Sequence, residues 1–188
     1  MNTKLYLASK SPRRQELLNL MGYSFEMLLK DVDESYPGDL ALTEVAAFIA
    51  DKKAAAIDIP DDGILITADT IVLINDEILG KPTDETDAIT MIGKLAGRKH
   101  QVITGVSVRS AVKQITFSEE TLVYFNPLSL DEISYYVKNH KPFDKAGAYG
   151  IQDWIGLVAV NRIEGSYTNV MGLPTDRLRA VLKKEFSW

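Results

Sequence analysis

The sequence predicts a mixed α/β fold, in which one twisted sheet is flanked by helices. Short apolar runs typical of buried strands alternate with amphipathic segments typical of helices, an order that favours parallel strands. Two strand-like runs, residues 101–109 and 114–125, follow each other with no helix between them, as adjacent strands of a hairpin do. Because both kinds of connection occur, we expect a sheet that mixes parallel and antiparallel strands.

Length and composition are those of an ordinary globular chain. The 188 residues are 46% hydrophobic and 25% charged, which suits one domain spanning residues 1–188. The net charge of −5 argues against a protein that binds nucleic acid regardless of its sequence, because such proteins are normally basic. A local basic pocket for one small anion remains compatible with this charge.

Two residue types are scarce enough to exclude several kinds of site. There is no cysteine, which excludes disulfides, cysteine-ligated zinc and thiol catalysis, and two histidines are too few for a histidine-rich metal site. The N-terminus has no signal-peptide core, and no apolar run approaches membrane-spanning length. We therefore expect a cytoplasmic protein without a membrane partner.

The chain begins with a predicted strand, turn and helix. Residues 5–8 form an apolar run, after which Ser11 suits a helix N-cap and Pro12 suits the first helical position. Arg13 and Arg14 then fall in the first helical turn, where free N–H groups already attract negative charge. Two cations there indicate either a phosphate that they bind together or two solvated surface arginines.

Carboxylates follow two of the strand-like runs. The run 25–29 leads into the acidic turn 31–34, which is either a site for a divalent cation or a solvated loop. The run 64–68 leads into Asp69, and the apolar pattern resumes at 71–74. A carboxylate between two buried runs needs a cation or hydrogen-bond donors nearby. Asp69 is therefore the best candidate for a catalytic residue, the alternative being an aspartate that caps a backbone turn.

The remaining patterns predict further helices and strands. Helices are expected after the N-caps Thr43, Thr83 or Asp84, Ser129 (within a capping box) and Thr175, and a strand at 157–160, while Glu119-Glu120 is expected to form a turn or bulge.

Two glycine-containing runs offer binding surfaces. Gly80-Lys81-Pro82 is a tight turn that presents a lysine. The run 144–152 is rich in Gly and Ala, so its backbone can approach a ligand closely, and it ends in Gln152, whose amide both donates and accepts hydrogen bonds. These properties suit the recognition of a nucleobase edge. The alternative is a structural turn.

Five runs, in this order, resemble the signature motifs of the Maf family of nucleotide pyrophosphatases. The match extends from Leu5 to near Leu182, and the first and fourth runs are long and specific. The resemblance implies two lobes around a cleft, in a fold similar to that of ITPases, and suggests a homodimer. The five runs are 7–18, 68–70, 80–82, 144–152 and 172–174.

The resemblance also implies a reaction, the hydrolysis of a nucleoside triphosphate between its α- and β-phosphates to a monophosphate and pyrophosphate. Asp69 would act as the base toward water, and Glu34 with Asp69 would bind Mg²⁺ or Mn²⁺. Lys53 and Lys81 would offset phosphate charge, whereas Lys52 would be a solvated neighbour of Lys53. The residues expected to bind the substrate are Arg13, Ser9 and Arg14, with Thr70 and Gln152.

Within the family, Arg13, Thr70 and Gln152 match the branch that acts on dTTP and UTP, whose role would be to clear modified pyrimidine nucleotides from the nucleotide pool. The sequence departs from many relatives after Gln152, where Asp153-Trp154-Ile155 replaces a glycine-rich run. Trp154 would either stack on a base or close the pocket.

Two other classes of function compete with this interpretation. The first is a nucleotide-binding regulator without turnover, in line with the family's link to septum formation. The second is a nucleic-acid-binding module, which the net charge of −5 and the lack of a stripe of aromatic and basic residues disfavour.

Overall fold

The computed structural model describes residues 3–188, and in them strands and helices alternate over most of the chain. The strands are β1 (Lys4–Ala8), β2 (Phe25–Met27), β3 (Gly63–Ile74), β4 (Glu77–Leu79), β5 (Lys99–Arg109), β6 (Gln114–Phe125) and β7 (Val160–Glu164). The helices are α1 (Pro12–Leu20), α2 (Val45–Ala55), α3 (Glu85–Leu95), α4 (Leu130–His140), α5 (Trp154–Val158), α6 (Tyr167–Met171) and α7 (Thr175–Phe186).

The sheet is mixed, as the sequence predicts. Its strand order is β2-β1-β3-β5-β6-β7. The short strand β4, which is not part of this order, also pairs with β3. β1 runs parallel to both of its neighbours, with Leu5 opposite Phe25 of β2 and opposite Ile64 of β3. β4 is antiparallel to β3, and β7 is antiparallel to β6.

The described part of the chain forms two compact units. The first contains the described residues up to Asp69, together with Thr104–Glu119 and Gly172–Trp188. The second contains Thr70–Ile103 and Glu120–Met171. The expectation of a single domain over residues 1–188 stays a prediction. No helix among residues 3–188 is long and apolar enough to span a bilayer.

The core of the first unit is formed where β1 and β3 pack with α2. Leu7, Ile66 and Ala46 are among its fully buried residues. Gly105 of β5 faces the backbone of α2, and a Cβ added to it would lie 2.2 Å from the carbonyl carbon of Ala46. Glycine therefore allows the first turn of α2 to approach the strand closely.

The core of the second unit contains α3 and α4. Ile92, Tyr136 and Ile155 are fully buried in it. The predicted capping box of α4 is confirmed, because the Ser129 hydroxyl accepts a hydrogen bond from the N–H of Glu132 and the Glu132 carboxylate accepts one from the N–H of Ser129. This reciprocal cap satisfies two N–H groups that the helix itself leaves without partners.

Two sequence-based expectations in the first half of the chain are wrong. The helix expected after an N-cap at Thr43 begins at Val45, because a 3₁₀ turn at Leu42–Glu44 comes first and its N–H groups bond to backbone carbonyls. The expected end of a strand at Asp69 does not occur, since Asp69 lies in the interior of β3, which is twelve residues long. An ion pair with Lys53 compensates the charge of the Asp69 carboxylate, so this residue can lie in the interior of a strand.

Two further expectations fail in the second half. The turn expected at Glu119 and Glu120 is wrong, because both residues lie inside β6 with their side chains partly exposed, while the alternative of a bulge stays a prediction. Residues 157–158 belong to α5 instead of a strand. Their apolar run has helical spacing, with Ile155 buried and Leu157 83% exposed, so only Val160 enters β7.

Candidate active site

The charged centre of the first unit consists of one lysine and two carboxylates. The Lys53 Nζ lies 2.8 Å from Asp69 Oδ1 and 2.8 Å from Glu34 Oε1. The side chains of Lys53 and Asp69 are 16% and 15% exposed, whereas that of Glu34 is 51% exposed. The structure thus brings together three of the predicted catalytic residues, and their roles stay predictions.

Buried hydrogen bonding explains why Lys53 reaches Asp69. The Thr67 hydroxyl, fully buried in β3, donates to the carbonyl of Ala50 in α2 at 2.6 Å. Lys53 is three residues beyond Ala50 and Asp69 is two residues beyond Thr67, so one contact aligns both side chains. In a low-dielectric interior such a bond is costly to break, which favours a fixed arrangement.

Arg14 connects three segments of the first unit. Its Nε donates to the carbonyl of Gly172 at 2.8 Å, and its Nη1 donates to the Ser9 hydroxyl at 3.0 Å and to the carbonyl of Ala68 at 2.9 Å. Burial lowers the pKa of the Arg14 guanidinium, while the negative charges of Asp69 and Glu34 act in the opposite direction. These contacts exclude a merely solvated Arg14 and fix the residue that precedes Asp69.

The start of α1 is basic and lacks an acidic residue in its first turn. Pro12 occupies the first helical position as predicted, and the Ser9 hydroxyl accepts a hydrogen bond from the N–H of Ser11 at 3.2 Å. Arg13 is half-buried in the same turn. The turn therefore concentrates positive charge where helix N–H groups also favour an anion.

The acidic loop, residues 31–35, is anchored by lysines. Lys52 Nζ donates to Asp33 Oδ2 at 3.1 Å and to the carbonyl of Ser35 at 3.0 Å, so the expectation of a solvated Lys52 is wrong. At the other end of the loop, Lys10 Nζ lies 2.7 Å from Asp31 Oδ1. Hydrogen bonds from the hydroxyl and N–H of Ser35, and then from Lys52, lower the pKa of Asp33 to about 2. Sequence alone could not identify this role of Lys52, because both lysines of the pair contact acids and nothing in the pair indicates which acid each one contacts.

The second unit carries the other predicted site residues. Lys81 and Gln152 are exposed, and Thr70 is half-buried in β3. The Gly147 N–H donates to the carbonyl of Gly80 at 2.9 Å, which joins the turn bearing Lys81 to the glycine loop, residues 144–152. Gly147 has φ of +66°, and an added Cβ would meet Val72 Cγ2 at 2.9 Å, so this position requires glycine.

Trp154 begins α5 and packs against aromatic residues of α4. Its ring centroid lies 5.1 Å from that of Tyr135, edge to face, and 6.5 Å from that of Tyr136, nearly parallel. The indole is half-buried. Both predicted roles, stacking on a base and closing the pocket, stay predictions.

Oxygen ligands for a divalent cation are available at the charged centre. Among residues 3–188, no group of three or more His, Cys, Asp or Glu side chains is arranged to hold a metal ion. Glu34 and Asp69 nevertheless approach the same Lys53 Nζ, so their carboxylates lie close together. Two carboxylates suit Mg²⁺, which commonly binds through one or two of them together with substrate phosphates.

Comparison with known proteins finds relatives over nearly the whole chain. A family model described as Maf-like protein matches residues 4–185. A dTTP/UTP pyrophosphatase from Phocaeicola vulgatus is 50% identical over 184 residues, which are 96% of this chain and 95% of that relative. A dTTP/UTP pyrophosphatase from Flavobacterium psychrophilum is 46% identical over 179 residues, which are 94% of this chain and 92% of that relative.

Solved structures share the fold at low identity. A HAM1 protein from Coxiella burnetii matches with a TM-score of 0.52 and 13% identity, covering 96% of this chain and 98% of its own. The Staphylococcus aureus Ham1 protein matches with a TM-score of 0.50 and 15% identity, covering 94% of this chain and 98% of its own. At these identities the likeness concerns the fold alone.

Proposed function

The chain belongs to the Maf family, and we propose that it hydrolyses dTTP and UTP to the nucleoside monophosphate and pyrophosphate. The observation that carries the proposal is 50% identity, over 96% of the chain, to a relative named dTTP/UTP pyrophosphatase. The charged centre of Lys53, Glu34 and Asp69 offers chemistry that suits this reaction. Such an activity would clear unwanted pyrimidine nucleotides from the cytoplasmic pool.

In the proposed reaction, Asp69 accepts a proton from the attacking water. A bond forms between the water oxygen and the α-phosphorus, the bond from that phosphorus to the bridging oxygen breaks, and pyrophosphate leaves. Lys53 contributes by orienting the Asp69 carboxylate through their 2.8 Å contact. Because phosphoryl-type transfer requires little covalent chemistry from the protein, positioning and charge account for most of the effect.

We propose Mg²⁺ or Mn²⁺ as the cofactor, with Glu34 and Asp69 as its protein ligands. When bound, the ion would polarise the phosphoryl oxygens and offset their charge. Glu34 and Asp69 would then contact both Lys53 and the ion. Two protein carboxylates agree with the small number through which Mg²⁺ commonly binds.

The remaining predicted residues would bind and select the substrate. Arg13 and Lys81 would offset phosphate charge, and Arg13, Thr70 and Gln152 would select thymine and uracil. For Ser9 and Arg14 we propose that they shape the start of α1, since they contact each other at 3.0 Å. A homodimer remains part of the proposal only by analogy with the family.

The proposal is tested by incubating the protein with dTTP, UTP, CTP, ATP and GTP in Mg²⁺ and, separately, in Mn²⁺. Equal amounts of monophosphate and pyrophosphate are expected from dTTP and UTP. Asp69→Asn should lower kcat about 10³-fold, because it removes the proton acceptor. Asp61→Asn, an exposed aspartate before β3, is the matched control and should retain the activity.

Other outcomes would contradict specific parts of the proposal. Diphosphate and orthophosphate as products would mean that a different bond is broken. Tight nucleotide binding without turnover would favour the non-catalytic regulator, and full activity of Asp69→Asn would exclude Asp69 as the base.

A further inference from the structure

The backbone near the end of the glycine loop is hydrogen-bonded to a tyrosine of α4. The Tyr136 hydroxyl accepts a hydrogen bond from the N–H of Gly150 at 3.1 Å and donates one to Asp153 Oδ2 at 2.9 Å. The Tyr136 side chain is fully buried. One hydroxyl thus uses its donor and an acceptor site on residues two positions before and one position after Gln152.

Lys145 completes the surroundings of Asp153. Its Nζ lies 3.7 Å from Asp153 Oδ2 and 2.8 Å from Asp144 Oδ1, and the lysine side chain is 12% exposed. A Cβ added to Gly150 would lie 2.6 Å from Asp153 Oδ2 and 3.0 Å from Lys145 Cε. Glycine therefore allows the backbone to lie directly against this ion pair, which compensates the partly buried carboxylate.

Gln152 lies between these anchored points. The Asp153 N–H donates to the carbonyl of Gly150 at 3.0 Å, which closes a tight turn around residues 151 and 152. Ile151 is buried, whereas Gln152 is exposed. The main chain at Gln152 is consequently held on both sides while its amide remains available to a ligand.

We propose that Tyr136 and Asp153 are positioning residues that set the placement of Gln152 and thereby the choice of nucleobase. The inference rests on the proposed function, in which Gln152 contacts thymine or uracil. An exposed amide discriminates between hydrogen-bonding edges only if its backbone is fixed, because freedom of the loop would let it adapt to other bases. The Tyr136 hydroxyl supplies this restraint without touching the substrate.

The test compares Tyr136→Phe with Tyr135→Phe. Both changes delete one hydroxyl from consecutive residues of α4, but Tyr135 is 51% exposed. For Tyr136→Phe, we expect KM for dTTP and UTP to rise about tenfold with kcat nearly unchanged, and the preference over CTP to fall by a similar factor. Tyr135→Phe should match the unmodified protein in both respects.

A second pair of variants separates positioning from folding. Asp153→Asn retains an acceptor oxygen for the Tyr136 hydroxyl and should keep more selectivity than Asp153→Ala. Thermal unfolding of each variant shows whether it is folded at the assay temperature. Calorimetric titration with dTTP, UTP and CTP, with each change combined with Asp69→Asn to suppress hydrolysis, measures the same preference as binding affinity.

The outcomes distinguish this inference from the proposed function. Unchanged KM and unchanged base preference in folded Tyr136→Phe would overturn the positioning role and leave the hydrolase proposal intact. Absence of turnover with selective pyrimidine binding that Tyr136→Phe weakens would overturn the proposed function and support the positioning role. A protein that neither hydrolyses nor binds these nucleotides would contradict both.

Discussion

The acidic loop of the first unit and the glycine loop of the second are held in opposite ways. The acidic loop depends on lysine side chains, and its pairs are largely open to solvent, as in Lys10–Asp31 with side chains 70% and 92% exposed. The glycine loop depends on backbone N–H groups and on the buried Tyr136. The comparison indicates that the loop carrying Glu34, a proposed metal ligand that is 51% exposed, remains solvated and adjustable, whereas the support proposed for base selection is rigid.

The two kinds of contact differ in energy. Exposed ion pairs contribute between zero and about 1 kcal/mol each and weaken as salt rises. Loss of one partner from a buried hydrogen bond costs about 1–3 kcal/mol, because the other partner is left without a substitute. Substitutions in the glycine loop should therefore affect stability more than those in the acidic loop.

The largest effect is expected for Lys53→Met. It leaves Asp69 and Glu34 without the cation that both contact at 2.8 Å, so we expect kcat for dTTP to fall about 10³-fold. Lys52→Met, one residue earlier, removes only a contact to the acidic loop and should change kcat/KM less than threefold, by an amount that shrinks in higher salt. Steady-state kinetics at two salt concentrations measure both. Equal losses in the two variants would contradict the distinction between a central and a peripheral lysine.

A pH-dependent effect is expected beneath the glycine loop. His100 is 2% exposed, its Nε2 lies 2.8 Å from the Tyr149 hydroxyl, and burial lowers its pKa from 6.5 to about 4. Between pH 4 and pH 6.5, His100 therefore binds a proton more readily in the unfolded chain than in the folded protein. The contribution of the buried, neutral His100 to the free energy of unfolding is complete above pH 6.5 and is lost as the pH decreases toward 4. The loss due to His100 should reach about 3 kcal/mol.

Denaturant unfolding at several pH values isolates this contribution. His100→Gln should show a smaller decrease of the unfolding free energy on acidification than the unmodified protein. His140→Gln removes the other histidine, which stacks on Tyr136 in α4, and should leave the decrease unchanged. If His100→Gln and the unmodified protein lose stability in parallel, the buried histidine is not the cause.

A smaller effect is expected for Gly147→Ala. The added methyl would meet Val72 at 2.9 Å, and the residue would have to adopt a φ of +66°, so we expect a destabilisation of about 2 kcal/mol. Gly93→Ala, in an open position of α3, should instead stabilise the protein by about 1 kcal/mol. Urea unfolding of the two variants provides the comparison. A neutral Gly147→Ala would show that the glycine loop is less rigid than we infer.

Local signals in the sequence predict much of the fold. The capping box at Ser129 and the proline at the start of α1 are determined by near neighbours, so both are recognisable without a structure. The strand expected at 157–160 fails because a short apolar run fits either a helix or a strand, and only tertiary burial of Ile155 decides between them.

The site is less accessible to sequence because its contacts join distant residues. An acid within an apolar run draws attention to Asp69, but its pairing with Lys53 depends on the packing of α2 against β3. Arg14 and Gly172 are 158 positions apart, and no local pattern indicates their hydrogen bond. The same is true of the Tyr136 hydroxyl, since the helical periodicity of α4 shows only that its ring is buried.

The most direct test of the central claim is hydrolysis of dTTP in water enriched in heavy oxygen, followed by mass spectrometry of both products. Attack of water on the α-phosphorus, with Asp69 as the base, predicts one labelled oxygen in the monophosphate and none in the pyrophosphate. Label in pyrophosphate or orthophosphate would show that water attacks another phosphorus and would contradict the proposed reaction.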